Sequence, residues 1–467
     1  MKQTTLIISS FLFSILFYGQ NIGLNISLFS VLTLIILIIG NTNKFKNRTT
    51  LTYALLYLLT AALVFFQHSF LSLIANIIVF FTLVGNITES KSSIFVNWLN
   101  GIYTSIAGFF HRNFDHNEKE EQPKLKKDID LLHWIKLIGI PLVFIIVFIL
   151  LYKNGNSVFN DLISQINFSF INIQWILFSV LGYFLFSNII NPVHVEPATQ
   201  SDLDAGNTLF KTGSFSEEKL KKEQQLGTTL MLLLNVLIIF YLVTDIIALN
   251  VSSSYDAVTL SSQVHNGINA LIASIIMAIV IILYFFRGNI NFYNDNKTLK
   301  FLAFAWIILN AVLVILIVIK NNDYVSAHGF TYKRLGVYIY LLLTFTGLRT
   351  TFLKVLKIKN LLFLFRANTQ IAFVLLIGLS TVNWDAFITK YNINNAESLD
   401  VNYLIHLSNN NSYILYDLRE KGTLSSSNNQ AIFIKHTAYL KDINTRNWQE
   451  YTFANFQEHS NSETHID

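Results

Sequence analysis

The 467-residue sequence has no cysteine, four prolines and few charges: Asp, Glu, Lys and Arg together make up 13% of it, about half the share of an ordinary soluble domain. Without cysteine there are no disulfides, no thiolate metal sites and no cysteine nucleophile. The GxxxxGK[ST] phosphate loop, the GxGxxG turn, the GxSxG elbow and the HExxH helix are all missing, which removes the simplest arguments for catalysis. His111 and His116 stand five residues apart, off a common helical face, so no metal or other cofactor is expected.

What the chain has in abundance is apolar sequence. Hydrophobic residues make up 52%, with 40 phenylalanines, and they gather in continuous runs such as 131–151, 174–190, 230–249, 271–286 and 301–319. Such runs approach the roughly 20 residues that cross a hydrocarbon core as a helix, whereas a closed β-barrel would show alternating segments of about ten. The pattern predicts an all-α, polytopic transmembrane helix bundle of about 11 spans, centred near residues 12, 32, 58, 77, 143, 181, 237, 276, 310, 342 and 372. "MKQTTLIISSFLFSILFYG" reads as a short first span rather than a cleaved signal, because no small-x-small site follows and a second apolar run comes at once. The eleventh run is broken by Arg366, Asn368 and Gln370.

Lysine and arginine set the orientation. They collect after the even spans, at Lys44, Lys46 and Arg48, from Arg112 to Lys127, from Lys211 to Lys222, from Arg287 to Lys300 and from Arg349 to Lys359. Loops after odd spans are nearly bare. The N-terminus is therefore expected in the cytoplasm and the C-terminus outside, and the net charge of +5 needs no nucleic acid to explain it.

The expected division has four parts. Residues 1–130 hold four spans and a charged, flexible linker, "HRNFDHNEKEEQPKLKKDID"; residues 131–226 hold two spans and a long cytoplasmic loop; residues 227–382 hold five spans; and residues 383–467 form a small helical extracytoplasmic tail ending in a disordered "QEHSNSETHID". Val158, Phe159, Leu162, Ile163 and Ile166 suit an amphipathic interfacial helix. Loop 191–227, begun by the helix-stopping Pro192, reads as a charged surface helix or as the site of a protein partner.

Intramembrane polar residues are the natural place to look for a site. Asn76, Asn235 and Asn310 fall near mid-span and read as interhelical glue. Asp245 lies roughly 27 Å along its span at 1.5 Å per residue, near the outer edge of the core. The same parity puts Asp245, His265, Asn269, His328, Lys333, Arg334, Trp384 and Asp385 on the outer face. One reading makes Lys333 and Arg334 snorkelling anchors, with Tyr332, Tyr338 and Trp384 as an aromatic belt. In the other they form an outward-facing pocket: the basic pair takes the anionic group of a lipid or a small anion, Asp245 pairs with one base, and His265 or His328 titrates. Gly329 and Gly336 would then allow the turn and close helix packing.

"VTDI", "QVHNGINALIASI", "YVSAHGFTYKRLGVYIYLLLTFTGL", "LKIKNLLFLFRAN" and "NWDAFITKYNI", taken in order, resemble an uncharacterised bacterial membrane family, domain of unknown function 4173. The resemblance covers roughly the last half of the chain. It implies a bacterial cytoplasmic (inner) membrane protein in which Asp245, His265, Gly329, Thr331, Arg334, Trp384 and Asp385 match the family pattern, and no catalytic role comes with it. The sequence-level expectation is a non-enzymatic sensor, scaffold or permease-like protein in contact with the bilayer. Its rival is an intramembrane transferase or hydrolase acting on a lipid-linked substrate at the outer leaflet, with His265 or His328 as base and Arg334 as anion clamp.

Overall fold

A computed structural model describes residues 2–119, 137, 140–156, 158–161, 172–211, 213, 216–251 and 257–456. These residues are helical throughout, apart from loops and one isolated β-bridge between Thr208 and Lys359. In chain order the helices are α1 (Lys2–Phe17), α2 (Leu24–Asn41), α3 (Arg48–Gln67), α4 (Phe70–Thr88), α5 (Ile94–Lys119), α6 (Ile140–Gly155), α7 (Ile173–Ile189), α8 (Glu196–Asp204) and α9 (Glu217–Val251). Then follow α10 (Ala257–Phe285), α11 (Lys297–His328), α12 (Tyr332–Leu356), α13 (Leu361–Ser380), α14 (Trp384–Asn395), α15 (Val401–Ile405), α16 (Ser412–Glu420) and α17 (Ser426–Thr445).

Among the described residues, seven helices are long and apolar enough to cross a membrane: α2, α3, α4, α9, α11, α12 and α13. The other four expected centres fall on shorter apolar stretches, in α1, α6, α7 and the second half of α10. Local sequence explains the helix starts. Asn47, Asn172, Asn360 and Asn383 each turn a side-chain oxygen onto the first-turn amides, and Ser69 forms a capping box with Ser72. Pro192 follows the end of α7 at Ile189.

Three expectations change. The linker expected from residue 111 is still helical to Lys119; the remainder, 120–130, lies outside the described residues. Sequence reasoning also missed α5 itself, which packs closely on α4 because Gly85 and Gly101 have no side chain: a Cβ on either would lie 2.0 or 2.1 Å from the main-chain oxygens of Asn97 and Phe81. Finally, the polar stretch 217–226 is not a separate surface helix but the first turns of α9. Of the expected amphipathic helix, Val158–Asp161 is helical, whereas 157 and 162–171 lie outside the described residues, as does 457–467.

Hydrogen bonds gather the loops at two ends. At one end, Asn41 donates to Ile190 O (2.9 Å), Lys44 to Thr88 O (3.3 Å), Leu209 N to Ile358 O (3.0 Å) and Lys354 to Phe286 O (2.7 Å). This end holds the loops after α2, α4, α7, α10 and α12, the lysine- and arginine-rich set. Helix α5 starts there, with Ser93 on Asp202 (2.7 Å), and is still there at Arg112, which donates to Asn188 O and Asn191 O (3.1 and 2.5 Å). It therefore lies obliquely across the basic end. The opposite end carries the helices after Val382: Leu24 N donates to Tyr451 O (2.8 Å), Asn410 to Gln67 O (3.0 Å) and Gln67 to Thr381 O (3.0 Å).

Among the described residues, buried apolar side chains form three clusters. One joins α1–α5, α7 and α13, a second joins α9–α12, and a third, around Ile388, Leu404, Leu415 and Ile432, belongs to the tail. The first cluster thus draws α7 and α13 from segments the sequence assigns to later units. Two of the three mid-span asparagines bridge helices, Asn76 donating to Thr60 Oγ1 (3.2 Å) and Asn235 to Leu302 O (3.0 Å); Asn310, expected to do the same, instead donates to Trp306 O of its own helix (2.8 Å) and its amide oxygen has no hydrogen bond.

Candidate functional site

The site is built around the turn between α11 and α12. At 32 residues, α11 is about 48 Å long, more than a 30 Å core requires, and its last turns, from Lys320 to His328, are polar. Gly329 ends it with φ +72° and ψ −179°, and a Cβ there would lie 2.4 Å from Cγ of Asn392. Only glycine adopts that conformation readily. From the first turn of α12, Arg334 reaches back: its Nη1 donates to His328 O (2.9 Å) and Gly329 O (2.5 Å), and its guanidinium lies 3.9 Å from the Tyr324 ring centroid. A cation at the carbonyl end of a helix is favoured by the helix dipole. From α14, Asn392 closes the other side of the turn, accepting from Phe330 N (2.6 Å) and donating to Phe330 O (2.9 Å).

Beside this turn lies a groove of about 1070 Å³. The α3–α4 turn (His68 to Leu71), the first two turns of α12, Leu379 and Trp384 at the α13–α14 junction, and the segment from Tyr403 to Asn410 enclose it. Leu71, Leu335, Ile339 and Leu379 supply apolar lining, here called its floor, and the polar lining residues are here called its rim. Gly336 lines it with nothing within 4 Å of where its Cβ would be, so the missing side chain is part of the space. Trp384 is pinned by Nε1 donating to Leu379 O (2.9 Å).

Asp385, 6% exposed, is the carboxylate of the rim. Its oxygens accept from the Tyr332 hydroxyl (2.8 Å) and from Ser408 Oγ. Tyr403 in turn accepts from Tyr332 N through its hydroxyl (2.8 Å), and burial pushes its phenol above the ordinary value. Lys435 buttresses the rim from behind, donating to the carbonyls of Ile405, Leu407 and Ser408 (2.8, 2.7 and 3.2 Å). Burial brings its ammonium down to about 8, with Asp385 opposing the shift. No group of His, Asp and Glu among the described residues is arranged to hold a metal ion.

The groove brings together four of the residues singled out from sequence: Lys333, Arg334, Trp384 and Asp385. Asp245 is not among them. It pairs with Lys320 (2.5 Å) rather than with Lys333 or Arg334, because α9 packs on α11 about 12 Å short of the α11 terminus, at 1.5 Å per residue from Lys320 to His328. His328 contributes its carbonyl to Arg334 and packs its ring on Tyr324, with centroids 5.2 Å apart. Asn269 is exposed on α10, and the side chain of His265 lies outside the described residues. Gly336, expected to allow close helix packing, leaves open space instead. His68, Ser69, Tyr403, His406 and Ser408 were missed as site residues. A usable signal existed for the first two, since "QHSF" is a short polar break between two apolar runs on the bare side of the chain.

No curated protein and no solved structure matches this chain. Residues 6–418 match the family described as domain of unknown function (DUF4153), and the number 4173 is not the one matched. With nearly its whole length covered by that match and its long apolar helices, the chain is a multi-pass membrane protein and belongs to the DUF4153 family.

Proposed function

We propose that this protein is a non-enzymatic sensor, scaffold or permease-like protein of a bacterial inner membrane, and that its groove receives the head group of a phosphate-bearing amphiphile at the extracytoplasmic surface. The carrying observation is the groove's composition: apolar lining from Leu335, Ile339 and Leu379 together with Lys333, an exposed cation with no hydrogen bond or ion pair among the described residues. An acyl chain fits the floor, and a phosphate fits the lysine at the first turn of α12, where the helix dipole adds to its charge.

The basic end, by the rule that lysine and arginine stay in the cytoplasm, faces inward and the groove outward. This reading keeps eleven spans, counting the shorter apolar helices and leaving α5 oblique at the inner surface. A signal to a protein partner would leave through loop 191–227, whose α8 is tied to the bundle by Asp202 on Arg366 (3.0 Å) and Ser93. The enzymatic alternative has less support, since Arg334 Nη1 is engaged by main-chain carbonyls and His328 does not line the groove.

Quenching of Trp384 tests this reading. In nanodiscs of phosphatidylcholine containing a minor fraction of brominated anionic phosphatidylglycerol, the Trp384 signal, obtained by subtracting the Trp384→Phe variant, is quenched beyond what the bulk lipid fraction produces. Gly336→Leu, which fills the groove without meeting a neighbour, and Lys333→Gln both reduce the excess. Quenching at the bulk level, unchanged by Gly336→Leu, overturns the proposal.

A further inference from the structure

The groove carries charges of both signs, and the negative one is the better buried. Asp385 is 6% exposed, its described partners are two hydroxyls, and it has no ion-pair partner among the described residues. Lys435 is near enough to feel the Asp385 charge but makes no ion pair with it; a buried carboxylate with no cation in direct contact is unfavourable, and ionised it offers about four lone-pair positions, of which two are used here. The neighbouring cations are engaged elsewhere: Lys435 holds three carbonyls, and Arg334 holds the end of α11 and the Tyr324 ring. Lys333, by contrast, is exposed on the same rim.

We infer that the occupant is a zwitterionic phospholipid whose head group bears a primary ammonium, of the phosphatidylethanolamine type. The phosphate sits against Lys333 at the first turn of α12, the ammonium donates to Asp385, and an acyl chain runs over Gly336 and Ile339. This rests on the proposed function above and adds its head-group chemistry. A phosphate alone would leave Asp385 unpaired and place a second negative charge beside it. A head group with both charges satisfies the two ends of the rim together, and three N–H donors suit a carboxylate that has accepting positions left.

The test uses the full-length protein in phosphatidylcholine nanodiscs, with a minor fraction of brominated phosphatidylethanolamine in one series and of brominated phosphatidylglycerol in the other. Excess Trp384 quenching reports enrichment. Phosphatidylethanolamine is expected to be enriched about fivefold over phosphatidylglycerol, in line with a charge-assisted hydrogen bond, and phosphatidylglycerol in turn to exceed phosphatidylcholine, whose N-methylated head group has no N–H to donate. Asp385→Asn is expected to erase the preference over phosphatidylglycerol, and Asp385→Glu to keep most of it. The order of the three lipids on the unaltered protein stands as a test even where Asp385→Asn does not fold. Enrichment of phosphatidylglycerol equal to or above that of phosphatidylethanolamine, or a preference that survives in folded Asp385→Asn, overturns this inference and leaves the groove reading intact. No enrichment of either lipid overturns both.

Discussion

Replacing Asp245 with asparagine is expected to destabilise the folded bundle by about 3–5 kcal/mol, the usual consequence of leaving one member of a buried ion pair without the other. The carboxylate is 8% exposed and its partner Lys320 is 22% exposed, so solvent cannot take over for either. Tyr241 adds a hydroxyl at 3.3 Å to the same carboxylate oxygen, and the second oxygen, Oδ2, is buried without a hydrogen bond. Asparagine keeps the shape and removes the charge, which strands the Lys320 ammonium between α9 and α11. The double variant Asp245→Leu/Lys320→Met removes both charges and is expected to recover most of the loss, because apolar side chains of similar volume replace buried pairs at little cost. Denaturant titration in detergent micelles measures the two variants beside the native protein. Equal losses in the single and double variants would contradict the account.

Gly329→Ala is expected to cost about 3 kcal/mol, from two independent sources. The backbone there, at φ +72°, is unfavourable for any residue with a side chain, and the new methyl would lie 2.4 Å from the Asn392 amide that clasps Phe330. The second source can be removed. In an Asn392→Ala background the clash is gone and the backbone strain remains, so Gly329→Ala should cost less there than in the native protein. Because this turn holds α14 against α11 and α12, the damage should appear as faster proteolysis within 384–456 before the bundle itself unfolds. A bundle that unfolds with the tail still protected would show that the turn does not dock it.

Much of the fold was legible because lipid imposes a simple rule: continuous apolar length means helix. All eleven expected centres fall on helices, and the described lysine- and arginine-rich loops gather at one end of the bundle. The α5 helix was missed for a physical reason. Its buried face is polar, with Asn97, Asn100 and Thr104 all buried against neighbouring helices and α8, so an apolarity scan passes over it. Arg366 looked like a break in α13 because its partner, Asp202, is 164 residues away in sequence. The site was half legible for a similar reason. Lys333, Arg334, Trp384 and Asp385 stand near apolar boundaries where polar residues are conspicuous, but the pairing of Asp385 with Tyr332 and Ser408 depends on how the tail folds back. Asp245 stood out by the same criterion and pairs with Lys320 of the neighbouring α11. An ionisable residue at a membrane edge marks where a charge is needed, and only its partner tells whether the need is structural.

The central claim is that the groove and the tail face outward and the basic loops inward, and the absence of native cysteine makes it directly measurable. Single cysteines at Lys421 in the tail, and at Lys46 and Lys357 in the basic loops, are all at exposed positions. In intact spheroplasts treated with a membrane-impermeant maleimide, the account predicts that the cysteine at 421 labels at once and those at 46 and 357 label only after lysis. Labelling at 46 or 357 from outside, with 421 protected until lysis, would place the groove in the cytoplasm and contradict the account.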